Sequence, residues 1–281
     1  MIIDCHTHIW LSKGALGDAS KFSCLGAHNV VGEVTLTEHL AAMSPADISI
    51  VHGFSSAFLN SDKSDDHIVE YVNRYRNKII GFSPVDLASK DAVAIVNRIA
   101  NDEILSGITI SPACQNVHPT DTRAMAVYEA AADHGLPIYV LQGELLPSRA
   151  PLAYTQLQGF DEVARTFPDL KIVISHMGFP WRNIMVTLLA KHENIFTDVA
   201  GLARNGTVAY DTLYLALVYG VMDKILFASD FPNATVKESI ESLYTLSQLA
   251  ADRGLPTIQR EKIRSIVERD ALSLLGIKSI N

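Results

Sequence analysis

A chain of 281 residues with 48% hydrophobic and 19% charged side chains carries enough apolar content for a large core, which excludes intrinsic disorder and suits one domain over residues 1–281. Its formal net charge of −8, with no Lys/Arg-rich run, lacks the electrostatic footprint of nucleic-acid and anionic-membrane binders. Three irregularly spaced cysteines, Cys5, Cys24 and Cys114, form neither a disulfide framework nor a thiolate zinc motif; with no secretory leader and no apolar run of spanning length, a soluble cytoplasmic protein is expected.

The first predicted strand lies in the stretch Met1 to Trp10, a strand-like run that ends in His6 and His8. Strand alternation would place the two imidazoles on one face with Asp4 behind them, and would turn Cys5 towards surrounding helices. Leu11 to Val34, rich in Gly, Ser and Ala, reads as a long loop over the carboxyl end of that strand. A short helix at Thr37–Met43 precedes strand two at Ile48–Gly53, and Ser64 is a candidate cap for a helix reaching Tyr75. Strand three follows at Ile79–Ser83, a helix at Lys90–Ala100, strand four at Gly107–Ser111, and a helix at Asp121–His134 that Gly135 stops.

The alternation then repeats. Strand five is Pro137–Gln142, with a helix at Phe160–Thr166; strand six is Lys171–His176, with a helix at Trp181–His192. Strand seven covers Ile195–Val199 before a helix at Ala209–Gly220, and strand eight is Lys224–Asp230, followed by helices at Val236–Ala251 and Thr257–Leu275. Eight apolar strands, each followed by a helical segment, predict an α/β fold with right-handed crossovers closing into a (β/α)8 TIM barrel. A doubly wound open sheet would ordinarily carry G-x-G-x-x-G after its first strand, and none stands there.

In such a barrel, chemistry gathers at the carboxyl ends of the strands. Those ends carry His8, His52, Gln142, His176 and Asp230. Because strand eight neighbours strand one on closure, His6, His8 and Asp230 can meet at one point and hold a divalent ion, with zinc the default for nitrogen and oxygen donors and manganese an alternative. Asp230 would move a proton and His176 would polarise the substrate or stabilise developing charge. Trp10 and Arg182 lie just past strand ends, where they would line a pocket together with Gln142, against the plainer expectation that a tryptophan packs the rim and an arginine meets solvent. Cys5 is expected to be packing, His52 and His118 to be structural or rim groups, and His28, His39, His67, His134 and His192 to be solvated.

Three ordered motifs make the pattern more specific: Asp4-x-His6-x-His8, Ile174-Ser-His-Met-Gly178 and Ala228-Ser-Asp-Phe-Pro232. Together they resemble the amidohydrolase superfamily, in particular the amidohydrolase-related branch that includes aminocarboxymuconate semialdehyde decarboxylase; Gly107–Pro112, Leu136-Pro137 and Glu268–Ala271 extend the likeness over nearly the whole chain. The resemblance implies a metal-dependent hydrolase barrel, with His6, His8 and Asp230 as ligands and His176 as the catalytic histidine. Two departures stand out. Gln142 occupies the place where the branch usually has a further histidine ligand on strand five, with Glu144 two residues on as a replacement, and the G-I-K-L-H-P segment reads Gly107-Ile-Thr-Ile-Ser-Pro112.

The expected activity is hydrolysis of a small carbonyl compound, such as a lactone, a cyclic amide or a carboxylated ring-derived acid, through a metal-activated water. The alternatives are non-oxidative decarboxylation of a carboxylated aromatic or muconate-like acid on the same site, a metal-independent lactonase, and an inactive binding barrel. The expected partner is a small molecule, and a homodimer is compatible with the sequence.

Overall fold

The computed structural model describes residues 1–12, 14–18, 33–61, 65–142 and 146–278. Most of the predicted loop over strand one, the Ser64 cap, Glu144, Cys24 and His28 lie outside these residues.

Eight parallel strands form one sheet in sequence order: β1 (Ile3–Thr7), β2 (Ile48–His52), β3 (Ile79–Pro84), β4 (Gly107–Ile110), β5 (Ile138–Val140), β6 (Ile172–Ile174), β7 (Ile195–Asp198) and β8 (Ile225–Leu226). Isoleucine and valine dominate them because a barrel strand is buried on both faces, where β-branched side chains fit the pleat. Among the described residues, ten α-helices accompany the sheet: α1 (Leu36–Ala42), α2 (Asp66–Arg74), α3 (Ala92–Asp102), α4 (Thr122–Asp133), α5 (Gly159–Thr166), α6 (Arg182–Lys191), α7 (Gly206–Val218), α8 (Val236–Asp252), α9 (Arg260–Val267) and α10 (Ala271–Leu275). Capping boxes start two of them: Thr35 with Glu38 opens α1, and Thr235 with Glu238 opens α8.

Eighth and first strands meet without a long ladder. Closure runs through Cys5 N–H to Phe227 O at 2.9 Å, Asp230 N–H to His6 O at 3.0 Å and His8 N–H to Phe231 O at 2.8 Å. Asp4 adds a side-chain clasp, accepting from the Ser229 amide at 2.8 Å and the Ser229 hydroxyl at 2.6 Å. The predicted eighth strand, Lys224–Asp230, therefore holds only two residues in regular pairing with β7, while the rest of it follows β1.

Most of the buried apolar residues fall into two layers, with a small third cluster of Trp10, Leu16, Leu59 and Cys114. One lies between strands and helices; the other fills the barrel, where Ile3, Cys5, Ile50, Phe82, Tyr139 and Val173 stack above Ala271, Leu272 and Leu275 of α10, which floors it. The predicted helix Thr257–Leu275 is thus two helices, and the second is the floor.

β1 departs from simple alternation. Its register with β2 shifts between Asp4 and Thr7, so Ile3 and Cys5 face the barrel interior and His6 faces it as well. This corrects two expectations: Cys5 does not face the helices, and Asp4 does not stand behind the histidines but clasps the neighbouring segment at Ser229. An irregularity of one residue in a strand re-aims every side chain after it.

Candidate metal centre at the barrel mouth

His6, His176 and Asp230 converge at the carboxyl ends of β1, β6 and β8, with one donor atom of each lying within 4.8 Å of the others. His8 joins through His6, the two Nε2 atoms being 3.0 Å apart. Thus the sequence-predicted residues His6, His8, His176 and Asp230 do gather, and His176 belongs to the same donor cluster rather than to a separate post.

The second nitrogen of each ring decides what the first can do. His8 Nδ1 lies 2.9 Å from the His52 carbonyl, and His176 Nδ1 lies 3.0 Å from the Ala200 carbonyl; a carbonyl only accepts, so both rings donate from Nδ1. His6 Nδ1 faces the Asp198 carboxylate at 2.9 Å and donates likewise. Neutral rings fixed in this tautomer carry bare Nε2 lone pairs. Two such lone pairs 3.0 Å apart repel unless a positive species lies with them, either a proton on one ring or a metal ion beside both. Three imidazole nitrogens and a carboxylate form a donor set that suits zinc or manganese, so the residues fit the metal that the sequence implied.

Electrostatics show how the pair of nitrogens is satisfied without an ion. Burial works against a charge on His6, but the carboxylates of Asp198, Asp230 and Asp4 together outweigh it and raise the pKa above the ordinary 6.5, which favours a proton on His6 that a bound cation would replace. His8 is pushed down to about 3 by burial and then by the charge on His6, so it stays an uncharged donor at neutral pH. Asp198 itself, fully buried, is held below the usual carboxylate range: burial alone would raise it, yet His6 and its hydrogen bonds prevail.

Asp198 is a functional candidate that sequence reading passed over. It ends β7 as His176 follows β6, and its position at a strand end was the available signal. Its Oδ2 accepts from His6 Nδ1 and from the Tyr139 hydroxyl, while Oδ1 accepts from the backbone amides of His176 at 2.7 Å and Ala200 at 3.0 Å. Arg204 was also missed, being in a short turn that periodicity does not mark; its guanidinium pairs with Asp230 Oδ2, which Asn233 Nδ2 also reaches at 3.1 Å.

The other predicted site residues make these contacts. Gln142 is buried and sends its Nε2 to the Thr155 carbonyl at 2.6 Å, so its amide braces the segment after β5. Trp181 donates to the Thr155 hydroxyl at 3.0 Å from the other side. Arg182 reaches Thr212 on α7 at 3.1 Å, tying two helices together. Trp10 stacks on His8 with ring centres 4.6 Å apart, holding that ring's plane. His52 donates from Nε2 to the Cys5 carbonyl and accepts at Nδ1 from Thr109, a structural part as expected, whereas His39, expected to be solvated, is fully buried behind β1.

Backbone strain collects here. His176, Met177 and Asp230 adopt left-handed conformations with φ of 55°, 51° and 65°, each costing about 1–2 kcal/mol that surrounding contacts must hold. The left-handed pair at His176 swings its ring back over the mouth.

The family model described as Amidohydrolase matches residues 3–265. An uncharacterised protein y4mH of Sinorhizobium fredii is 31% identical over 107 residues, a match spanning 33% of this chain and 36% of that relative. Among solved structures, an uncharacterised TIM-barrel protein of Bordetella bronchiseptica has a TM-score of 0.71 at 22% identity, with 98% of each chain covered. A 2,6-dihydroxybenzoate decarboxylase from Rhizobium has 0.72 at 14%, again with 98% of each chain covered. A probable 2-pyrone-4,6-dicarboxylic acid hydrolase of Acinetobacter baumannii has 0.68 at 13%, covering 98% of this chain and 99% of its own.

Proposed function

Since this chain belongs to the amidohydrolase family, we propose that it is a metal-dependent enzyme that hydrolyses a small carbonyl compound, a lactone, cyclic amide or carboxylated ring-derived acid, at the mouth of its barrel. The observation that carries the reading is the set of three Nδ1-anchored imidazoles aiming bare Nε2 atoms at one region beside the Asp230 carboxylate. A divalent ion held by His6, His8, His176 and Asp230, zinc or manganese, would supply Lewis acidity for attack on a carbonyl. The chain's own groups do the rest. Asp230 stands where a carboxylate can take a proton from the attacking water and return it to the leaving oxygen or nitrogen. His176, half-buried and aimed over the mouth with its Nδ1 held by the Ala200 carbonyl, would place its Nε2 beside the reacting carbonyl, as a ligand to the ion or as a proton acceptor. Arg204, partly exposed beside Asp230, puts a fixed positive charge there and favours a substrate that carries a carboxylate.

Decarboxylation of a carboxylated aromatic acid is the second reading, favoured by the full-length likeness to decarboxylases, one of which, from Polaromonas, carries manganese and 2-nitroresorcinol. The two reactions give different products. Purified protein is analysed for bound metal and then offered lactones, cyclic amides and hydroxylated benzoates with and without chelator, following ring opening and CO2 release separately. Chelator-sensitive ring opening without CO2 is expected; CO2 release moves the assignment to the second reading. Metal-free protein whose turnover survives both chelator and His176→Asn would overturn both.

A further inference from the structure

Asp198 lies on β7, the one strand between β6 and β8, and it touches both sides of the donor cluster from below. Each oxygen has a separate task. Oδ2 receives the His6 Nδ1 proton at 2.9 Å, with the Tyr139 hydroxyl as its second donor; Oδ1 receives the amides of His176 and Ala200, and the Ala200 carbonyl in turn takes the His176 Nδ1 proton at 3.0 Å. One carboxylate therefore addresses the tautomer of His6 directly and the ring of His176 through Ala200. It also anchors the left-handed backbone at His176, whose φ of 55° needs a partner to persist.

Resting on the metal-centre reading above, we propose that Asp198 is the positioning residue of the site: it fixes the proton of His6 on Nδ1 and aligns His176, so that both rings present bare Nε2 atoms to a divalent ion. A carboxylate can only accept here, which leaves one tautomer for His6. An asparagine amide in its place can also donate to Nδ1, which would move the ring proton to Nε2, the face turned to His8. Carboxylates behind ligating histidines commonly act this way, and their loss weakens metal binding about 10–100-fold.

The test uses whole protein labelled with 15N-histidine. Zinc affinity is measured by chelator competition and the His6 ring nitrogens by NMR. In zinc-loaded wild type the His6 proton is expected on Nδ1, and Asp198→Asn is expected to bind zinc about 10–100-fold more weakly with the His6 ring proton moved or exchanging between nitrogens. Tyr139→Phe removes the other donor to Oδ2 while leaving the His6 contact, and it should retain both the Nδ1 proton and affinity within a few-fold. Several results would overturn the proposal: unchanged zinc affinity in Asp198→Asn, even with lowered thermal stability; an equal loss in Tyr139→Phe; or a wild-type His6 carrying its proton on Nε2. That last measurement needs no variant, so it decides the matter even if Asp198→Asn fails to fold. If wild type binds no zinc or manganese at all, the metal-centre reading fails by itself, and the His6 tautomer in alkaline solution still tests Asp198.

Discussion

Two side chains near the mouth show how single groups set measurable behaviour. Arg204 pairs with Asp230, and the proposed preference for an anionic substrate rests on its charge. Arg204→Gln should raise KM for a carboxylated substrate by about 10–100-fold, the loss of a charge-assisted pair of about 1.5–3 kcal/mol, with a smaller change in kcat. Steady-state kinetics on an acid and on its neutral ester tests this, and an equal effect on both would exclude a charge role. His39 is a different case. It is buried among Thr7, Ser49, Tyr71 and Phe231, none of them charged, and burial pushes its pKa down to about 4 from an ordinary 6.5. The folded state thus resists a proton that the unfolded chain accepts. The stabilising contribution is fully present above pH 6.5 and is lost as pH falls from there through about 4, up to about 3 kcal/mol. Urea unfolding at about pH 7 and about pH 4.5 should show a clear loss of stability in wild type and a smaller one in His39→Gln.

At the level of elements, β1 carries both the site and the closure of the barrel. Asp4→Ala would leave the Ser229 amide and hydroxyl buried without their acceptor, a cost of about 2–4 kcal/mol, and would loosen the segment that positions Asp230. Thermal denaturation should register it as a drop of several degrees, and zinc affinity should fall with it. The same strand shows what could be read from the sequence. Eight strands and their order were legible because Ile/Val runs and helical segments alternate along the whole chain, and His6, His8, His176 and Asp230 were legible because they end strands. The register shift in β1 was not, since the face of Cys5 depends on how β1 pairs with β2 and meets Phe227, which are contacts far apart in sequence. Asp198 and Arg204 escaped for related reasons. A carboxylate under the site and a guanidinium in a short turn gain their roles only from the partners that folding brings to them. Gln142 likewise gains a contact that its position did not announce, from its Nε2 to the Thr155 carbonyl in the segment after β5.

For the whole molecule, the weak line of the barrel is where its last strand meets its first. Seven of the eight strand junctions are ladders, while the eighth rests on a few backbone bonds from Cys5, His8 and Asp230 and on the Asp4 clasp. Local opening follows the least costly path, so this line should breathe before the rest, and the amides of Cys5, His8 and Asp230 should exchange with deuterium as one group. Two of the donor elements, β1 and the segment after β8, lie on opposite sides of that line. A cation bound by both would act as a rivet across it, slowing those three amides together by the factor that its concentration and affinity set, and leaving the ladder between β3 and β4 untouched. Hydrogen exchange with and without added zinc measures that difference, and equal slowing everywhere would place the effect in global stability. On the proposed reading the metal site and the mechanical seam of the barrel are one place, so losing the ion would cost both the proposed activity and the grip that holds that edge closed.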